Sequence, residues 1–202
     1  MPGGGWDFDL DRTFKTGLMG MLLKDLVDTG DVEEVRGSLN QPIGGLAYDS
    51  RRVKKGYLFF AVPGQSLDGH EFIGHAVERG ATAVVVERNV EVPFSATLLR
   101  VRSVRRTMGK WASLFNANPS RRMVLIGVTG TNGKTTVTYL LESIFSAAGM
   151  SCGVIGTIDY RYGRRRFPAP HTTPESVDLQ ALLAEMAREG VQSLGLEVSS
   201  QA

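Results

Sequence analysis

The spacing of apolar positions changes along the chain, and each change marks a new kind of element. Met1 to Gly20 scatters charges and isolated aromatics around Gly3-Gly4-Gly5 with neither a helical nor a strand period, which predicts a poorly ordered extension over residues 1–20. From Met21, an alternative start, Leu22, Leu23, Leu26 and Val27 form a short helical stripe ending near Gly30. Between Gly44 and Arg102, short apolar runs separated by Gly, Pro and Asp read as strands: Tyr57 to Val62, Ala83 to Val86 and Leu98 to Val101. Between the first two lies Glu71 to Arg79, with Phe72, Ile73, Ala76 and Val77 on one helical face before Gly80, so a β-α-β alternation is predicted. Ser103 can cap a helix carrying Val104, Met108, Trp111 and Phe115, and Asn118-Pro119 stops it. Together these elements predict a small α/β domain over residues 21–118.

A polar hinge from Asn118 to Arg122 opens a second unit, residues 119–202. Met123 to Val128 is a nearly uninterrupted apolar run and predicts a strand buried on both faces. It runs into a glycine-rich loop, after which Val137, Leu140, Leu141, Ile144, Phe145 and Ala148 predict an amphipathic helix closed by Gly149. Gly153 to Ile158 reads as a strand, Thr173 with Pro174 at the first helical position opens a helix through Glu189, and Val191 to Val198 reads as a further strand. The predicted class is therefore α/β: a small N-terminal domain, then a second unit with a mainly parallel sheet.

Composition sets bounds on this picture. At roughly 150 residues per domain, 202 residues is long for one small module and short for two full-sized α/β domains. Hydrophobic residues at 42% and charged residues at 22% exclude a disordered chain or a collagen-like repeat. A net charge of +2 argues against a nucleic-acid-binding surface. The lone Cys152 permits no internal disulfide. No apolar run approaches the roughly 18 residues a membrane span needs, and no basic-then-apolar signal pattern opens the chain, so the cytoplasm is the expected compartment and no membrane partner is expected.

The strongest chemical signal is Gly130-Thr131-Asn132-Gly133-Lys134-Thr135-Thr136. Phosphate binding needs converging backbone N–H groups, glycines that admit the anion, a lysine to neutralise charge and a helix N-terminus behind them, and all four are predicted here. The generic phosphate loop places a glycine five residues before Gly133, where this chain has Val128. Thr135 holds the position whose hydroxyl would ligate Mg²⁺. The competing reading is a glycine-rich strand-to-helix turn with an exposed lysine. Asp49, Ser50 and Arg51 set an acceptor, a hydroxyl and a bidentate donor in succession, which suits a nucleotide head group or, more simply, a capped turn with a surface arginine. Thr172 and Thr173 precede a predicted helix whose positive end would favour an anion, or else Thr173 merely caps it. Glu197 closes an apolar strand, where open α/β sheets present ligand-binding groups. Arg164-Arg165-Arg166 reads as a solvated loop, Cys152 as packing, and His70 and His75 lack companions at metal-ligand spacing.

Read together, these segments resemble the Mur ligases, the ATP-dependent amide-forming enzymes of peptidoglycan precursor synthesis. Gly130 to Thr136 is similar to their ATP-binding loop. Tyr48-Asp49-Ser50-Arg51, Leu58-Phe59-Phe60-Ala61-Val62-Pro63-Gly64 and Asp68-Gly69-His70 resemble the uridine-nucleotide domain of the MurE type, which adds the third residue of the stem peptide. His171-Thr172-Thr173-Pro174 and Glu197-Val198-Ser199-Ser200 resemble its central-domain substrate and metal segments. The resemblance runs from about Met21 to the last residue, and it implies that the second unit is a truncated P-loop-type ATPase domain.

The resemblance implies a role for each position. Lys134 and the amides of Gly130, Thr131, Asn132, Gly133, Thr135 and Thr136 bind ATP phosphates, and Lys134 stabilises the charge of transfer. Mg²⁺ lies on Thr135 and Glu197. Tyr48, Ser50, Gln65, Ser66 and Leu67 contact the uridine nucleotide, Ser50 the uracil end. His171, where relatives often carry Asn, contacts the UDP-muramoyl dipeptide with Thr172, Thr173 and Ser199, while Gln201 stands where many relatives have His. The implied reaction joins UDP-N-acetylmuramoyl-L-alanyl-D-glutamate to diaminopimelate or lysine, by a monomer in the full-length family, and no side chain here is an obvious nucleophile. The chain stops after the third predicted central-domain strand, so alone it is expected not to complete catalysis. Two alternatives stay open: a non-catalytic nucleotide or UDP-sugar module, and a folylpolyglutamate synthetase-like ligase.

Overall fold

The computed structural model describes residues 20–27, 32–64, 67–91 and 95–199. The expected N-terminal extension lies, but for Gly20, outside the described residues, as do Gln65, Ser66, Ser200 and Gln201. The chain divides into two compact units, residues 1–108 and 109–202.

The first unit opens with a short helix, α1 (Leu23–Val27), whose Leu23 and Leu26 are fully buried. Its sheet comprises β1 (Val32–Arg36), β2 (Gly45–Ala47), β3 (Tyr57–Phe60), β4 (Ala81–Val86) and β5 (Thr97–Val101), in the order β1-β5-β4-β3-β2. All neighbouring pairs are parallel except β1 with β5. The predicted β-α-β alternation is present as β3, helix α2 (Ile73–Glu78) and β4, and the chain enters α2 through a 3₁₀ turn, Gly69–Phe72. Successive residues Leu58, Phe59 and Phe60, and Val84, Val85 and Val86, are all buried, so both faces of these strands are covered and their sequences read as continuous apolar runs. The sequence pattern missed β1 and β2: Val-Glu-Glu-Val-Arg has only two apolar positions, and β2 is three residues long. Helix α3 (Val104–Phe115) buries Val104, Met108, Trp111 and Ala112. It ends where Ala117 and Asn118 take left-handed conformations ahead of Pro119.

The second sheet contains β6 (Val124–Val128), β7 (Cys152–Ile155), β8 (Asp159–Tyr162), β9 (Arg165–Pro168) and β10 (Ser193–Glu197), ordered β6-β10-β7-β8-β9. The triplet β6-β10-β7 is parallel, and β8 and β9 continue it as an antiparallel hairpin. Helix α4 (Lys134–Ala147) follows β6, and α5 (Ser176–Arg188) leads to β10. Three expectations are corrected. Met123 to Val128 is not buried on both faces: β6 is an edge strand, and Val124 is 49% exposed. The apolar positions of α4 do not share one covered face, because Leu140 and Ile144 are 57% and 62% exposed while Thr138 faces Gly195 of the sheet. Pro174 is not the first helical residue, since α5 begins at Ser176, and Thr173 caps no helix.

The arginine run is exposed as expected, but two of its residues are not in a loop. Arg165 and Arg166 lie in β9, and both are ion-paired, Arg165 with Glu185 and Glu189 and Arg166 with Asp159. Asp159, nearly buried, also pairs with Arg161, which forks onto Glu142 of α4 at 2.6 and 2.9 Å and lies 4.2 Å from the centre of the Tyr139 ring. Burial pushes the Asp159 carboxyl up, but hydrogen bonds from Arg161 and Arg166 outweigh it and hold the group below its usual range. Its stabilising contribution is therefore complete above the unfolded carboxyl's titration and is lost as pH falls through the lower native one. Asp159→Asn is expected to cost about 2–3 kcal/mol in urea unfolding near neutral pH, the penalty of leaving two guanidinium groups without their shared carboxylate. The gap from wild type should shrink as the native carboxyl titrates in acid.

Candidate functional site

The loop predicted to bind phosphate joins β6 to α4. Strand β6 ends at Val128 and helix α4 starts at Lys134, so Gly130 to Gly133 is a strand-to-helix turn at the C-terminal edge of a parallel sheet. Gly130 and Gly133 have φ of +144° and +79°, conformations that side chains disfavour. Thr131, Asn132, Gly133 and Thr136 are exposed, and Lys134 and Thr135 are half-buried. Lys134 Nζ reaches back across the turn and donates to the Gly130 carbonyl at 2.8 Å, so the cation is held over the loop. The free N–H groups of the first turn of α4 give this end a positive potential.

Glu197 ends β10, the middle strand of the parallel triplet, opposite Val128 in register, and is 1% exposed. Its Oε2 accepts from Thr157 Oγ1 at 2.9 Å, and Thr157 Oγ1 lies 3.1 Å from Thr172 Oγ1. Thr173 Oγ1 donates to the Glu197 carbonyl at 2.8 Å and accepts from the Ser199 N–H at 2.9 Å. Thr172, Thr173 and Ser199, expected to contact substrate, thus lie together with Glu197, expected to share a metal with Thr135. His171 is exposed, and its carbonyl accepts from the Tyr160 hydroxyl, whose pKa burial pushes up to about 12 against the lowering effect of that bond. Thr157 and Gly156 escaped the sequence reading. A Cβ on Gly156 would lie 2.3 Å from Glu197 Oε1, so the bare Cα is what seats the carboxylate. The signal lay in Gly-Thr at the end of an apolar run, obscured because the predicted strand ran on to Ile158, whereas β7 stops at Ile155.

Among the described residues no three or more His, Cys, Asp or Glu side chains are grouped to hold a metal. A single carboxylate with a hydroxyl nevertheless fits Mg²⁺, a hard cation usually bound through one or two carboxylates with substrate phosphates and water completing its shell. The oxygen donors nominated for it from the sequence are a buried carboxylate at the end of β10, Glu197, and a half-buried residue in the first turn of α4, Thr135.

In the first unit the Asp49-Ser50-Arg51 segment forms a capped 3₁₀ turn, Ser50–Arg52, in which Asp49 accepts from the Arg51 N–H at 2.9 Å and from its guanidinium at 2.7 to 3.1 Å. The Arg51 hydrogen bond holds the Asp49 carboxyl below its usual range, with burial opposing. Ser50 is buried and Tyr48 half-buried, the latter 5.9 Å from the Arg52 guanidinium. Leu67 is 66% exposed, and its carbonyl accepts from the Gly64 N–H at 3.0 Å. His70 is a latch: its Nδ1 lies 2.6 Å from Asp68 and its Nε2 accepts from the Glu87 N–H at 3.2 Å.

Comparison with known proteins accounts for both units. Residues 42–116 match the Mur ligase family, catalytic domain, and residues 128–202 the Mur ligase middle domain. The chain belongs to the Mur ligase family. It is 49% identical over 182 residues to the UDP-N-acetylmuramoyl-L-alanyl-D-glutamate--2,6-diaminopimelate ligase of Geobacter sulfurreducens, covering 90% of this chain and 36% of that relative. The ligase of the same name from Caldanaerobacter subterraneus subsp. tengcongensis is 44% identical over 180 residues, covering 89% of this chain and 37% of that one. A solved structure of a ligase of that name aligns with a TM-score of 0.74 at 28% identity, over 91% of this chain and 37% of that one. MurF from Thermotoga maritima, solved in complex with ADP, shares the fold, with a TM-score of 0.53 at 24% identity over 78% of this chain and 32% of that one. This Mur ligase chain therefore spans little more than a third of the length of the curated relatives it matches.

Proposed function

We propose that this Mur ligase chain carries the UDP-substrate and ATP-binding machinery of an ADP-forming ligase that joins UDP-N-acetylmuramoyl-L-alanyl-D-glutamate to 2,6-diaminopimelate. The observation that supports it most is the Lys134 loop on β6 with the Glu197 carboxylate at the end of the adjoining strand, in a chain whose relatives bear that name. Residues 21–118 form the uridine-substrate domain and residues 119–202 the first part of the ATP domain. The amides of residues 130–136 and Lys134 receive the ATP phosphates, and Thr135 and Glu197 hold Mg²⁺, which when bound offsets phosphate charge. Tyr48, Ser50, Gln65, Ser66 and Leu67 take the uridine nucleotide, and His171, Thr172, Thr173 and Ser199 the remainder of that substrate.

In the whole ligase the dipeptide carboxylate attacks the γ-phosphate and releases ADP. The amine of the incoming amino acid then opens the acyl phosphate and releases inorganic phosphate. The protein acts as a monomer in the cytoplasm, in keeping with the lack, among the described residues, of any helix long and apolar enough to cross a membrane. Calorimetric titration of the 202-residue chain with ATP and Mg²⁺, and separately with UDP-N-acetylmuramoyl-L-alanyl-D-glutamate, should show one saturable site for each. Absence of ATP binding would remove the ligase reading and leave a UDP-sugar module.

A further inference from the structure

Ser50 contributes a nearly buried hydroxyl, and its side-chain partner among the described residues is His75, whose Nδ1 lies 2.9 Å from Ser50 Oγ. His75 stands on α2, 25 positions along the chain, and is exposed. The acid next to Ser50 does not compete for the hydroxyl, because Asp49 is committed to Arg51. The first unit's other described histidine behaves differently: His70 accepts at Nε2 from a backbone N–H and so turns Nδ1–H toward Asp68.

We propose that His75 is a positioning residue that fixes which way the Ser50 hydroxyl points, and thereby selects uracil over cytosine; this rests on the uridine reading of Ser50 above. In its Nε2–H tautomer the His75 ring presents Nδ1 as an acceptor. Ser50 then donates its proton to Nδ1 and turns its lone pairs outward. A uracil ring offers N3–H to such an acceptor, whereas cytosine offers an unprotonated N3, and two acceptors facing each other leave one lone pair unmatched. Without His75 the hydroxyl rotates freely and serves either base.

The test is UDP and CDP binding to the 202-residue chain and its His75→Ala, His75→Asn, Ser50→Ala and Ser50→Ala/His75→Ala variants, with ATP affinity as the folding control. His75→Ala should weaken UDP about tenfold and bring the UDP-to-CDP preference toward unity. The amide of His75→Asn should restore much of both, and in the Ser50→Ala background removal of His75 should have no further effect. Unchanged UDP affinity and preference in His75→Ala, or an equal loss with and without Ser50, overturns the positioning role alone. No UDP binding by the wild-type chain, or an unchanged Ser50→Ala, overturns the uridine reading and the inference with it.

Discussion

Lys134→Ala should lower the affinity of the chain for ATP by about 10- to 100-fold, the loss of one charge-assisted contact worth about 1.5–3 kcal/mol. The lysine opens α4, and its ammonium already lies over the loop, 2.8 Å from the Gly130 carbonyl. A phosphate entering the turn meets a cation already in place, so little side-chain ordering is left to oppose binding. In the free protein that ammonium makes an exposed bond to a neutral carbonyl. Its removal should therefore shift the thermal midpoint by no more than about 3 °C. Lys134→Arg should recover only part of the affinity, because a planar fork does not replace a compact ammonium in a tight glycine turn. Equal ATP affinity in wild type and Lys134→Ala, by calorimetry, would reduce the loop to a structural turn.

Gly156→Ala should damage the other half of the ATP site. The glycine does not have positive φ, so alanine fits its backbone, and the added methyl itself is what collides. It would meet Oε1 at 2.3 Å, Cδ at 2.8 Å and Cγ at 3.1 Å of the Glu197 side chain, which is buried and hydrogen-bonded to Thr157. The carboxylate has to leave its seat. An overpacking cost of about 1–3 kcal/mol is expected in unfolding. More tellingly, the part of ATP affinity that depends on Mg²⁺ should fall by at least about tenfold, while Mg²⁺-free binding to the loop stays within about twofold. Thr157→Val, which keeps the volume but removes the donor, should show a weaker version of the same split. If Gly156→Ala lost Mg²⁺-free and Mg²⁺-dependent binding in equal proportion, Glu197 would have no special part in holding the ion.

These consequences separate what the sequence shows from what only coordinates supply. The strand, loop and helix around Gly130 to Thr136 were legible because a continuous apolar run, a glycine pair and a helical period follow one another without a gap. Parallel β3 and β4 were legible for the same reason, since strands covered on both faces have no polar alternation to confuse them. Strands β8 and β9 were not: Asp-Tyr-Arg-Tyr and Arg-Arg-Phe-Pro are dominated by charge, and their arginines are ion-paired with Asp159, Glu142, Glu185 and Glu189. Spacing cannot reveal pairing between residues twenty positions apart. In the candidate site, Glu197, Thr172 and Thr173 were nominated by their motifs, but Thr157 and Gly156 emerge only where the end of β7 meets the end of β10. His75 was hidden in the same way, because a hydrogen bond to Ser50 spans 25 positions and leaves no local pattern.

The central claim, that this chain carries the substrate-recognition part of a ligase acting on the muramoyl dipeptide, is tested most directly by comparing three ligands on the same protein. Calorimetry with UDP, UDP-N-acetylmuramoyl-L-alanine and UDP-N-acetylmuramoyl-L-alanyl-D-glutamate should give affinity that rises along that series. The dipeptide form should bind at least about tenfold tighter than UDP, the worth of one further charge-assisted contact, and the gain should be lost on Thr173→Ala. Equal affinity for all three ligands would contradict the account, because it would mean that the chain reads the nucleotide and nothing of the peptide that the ligase extends.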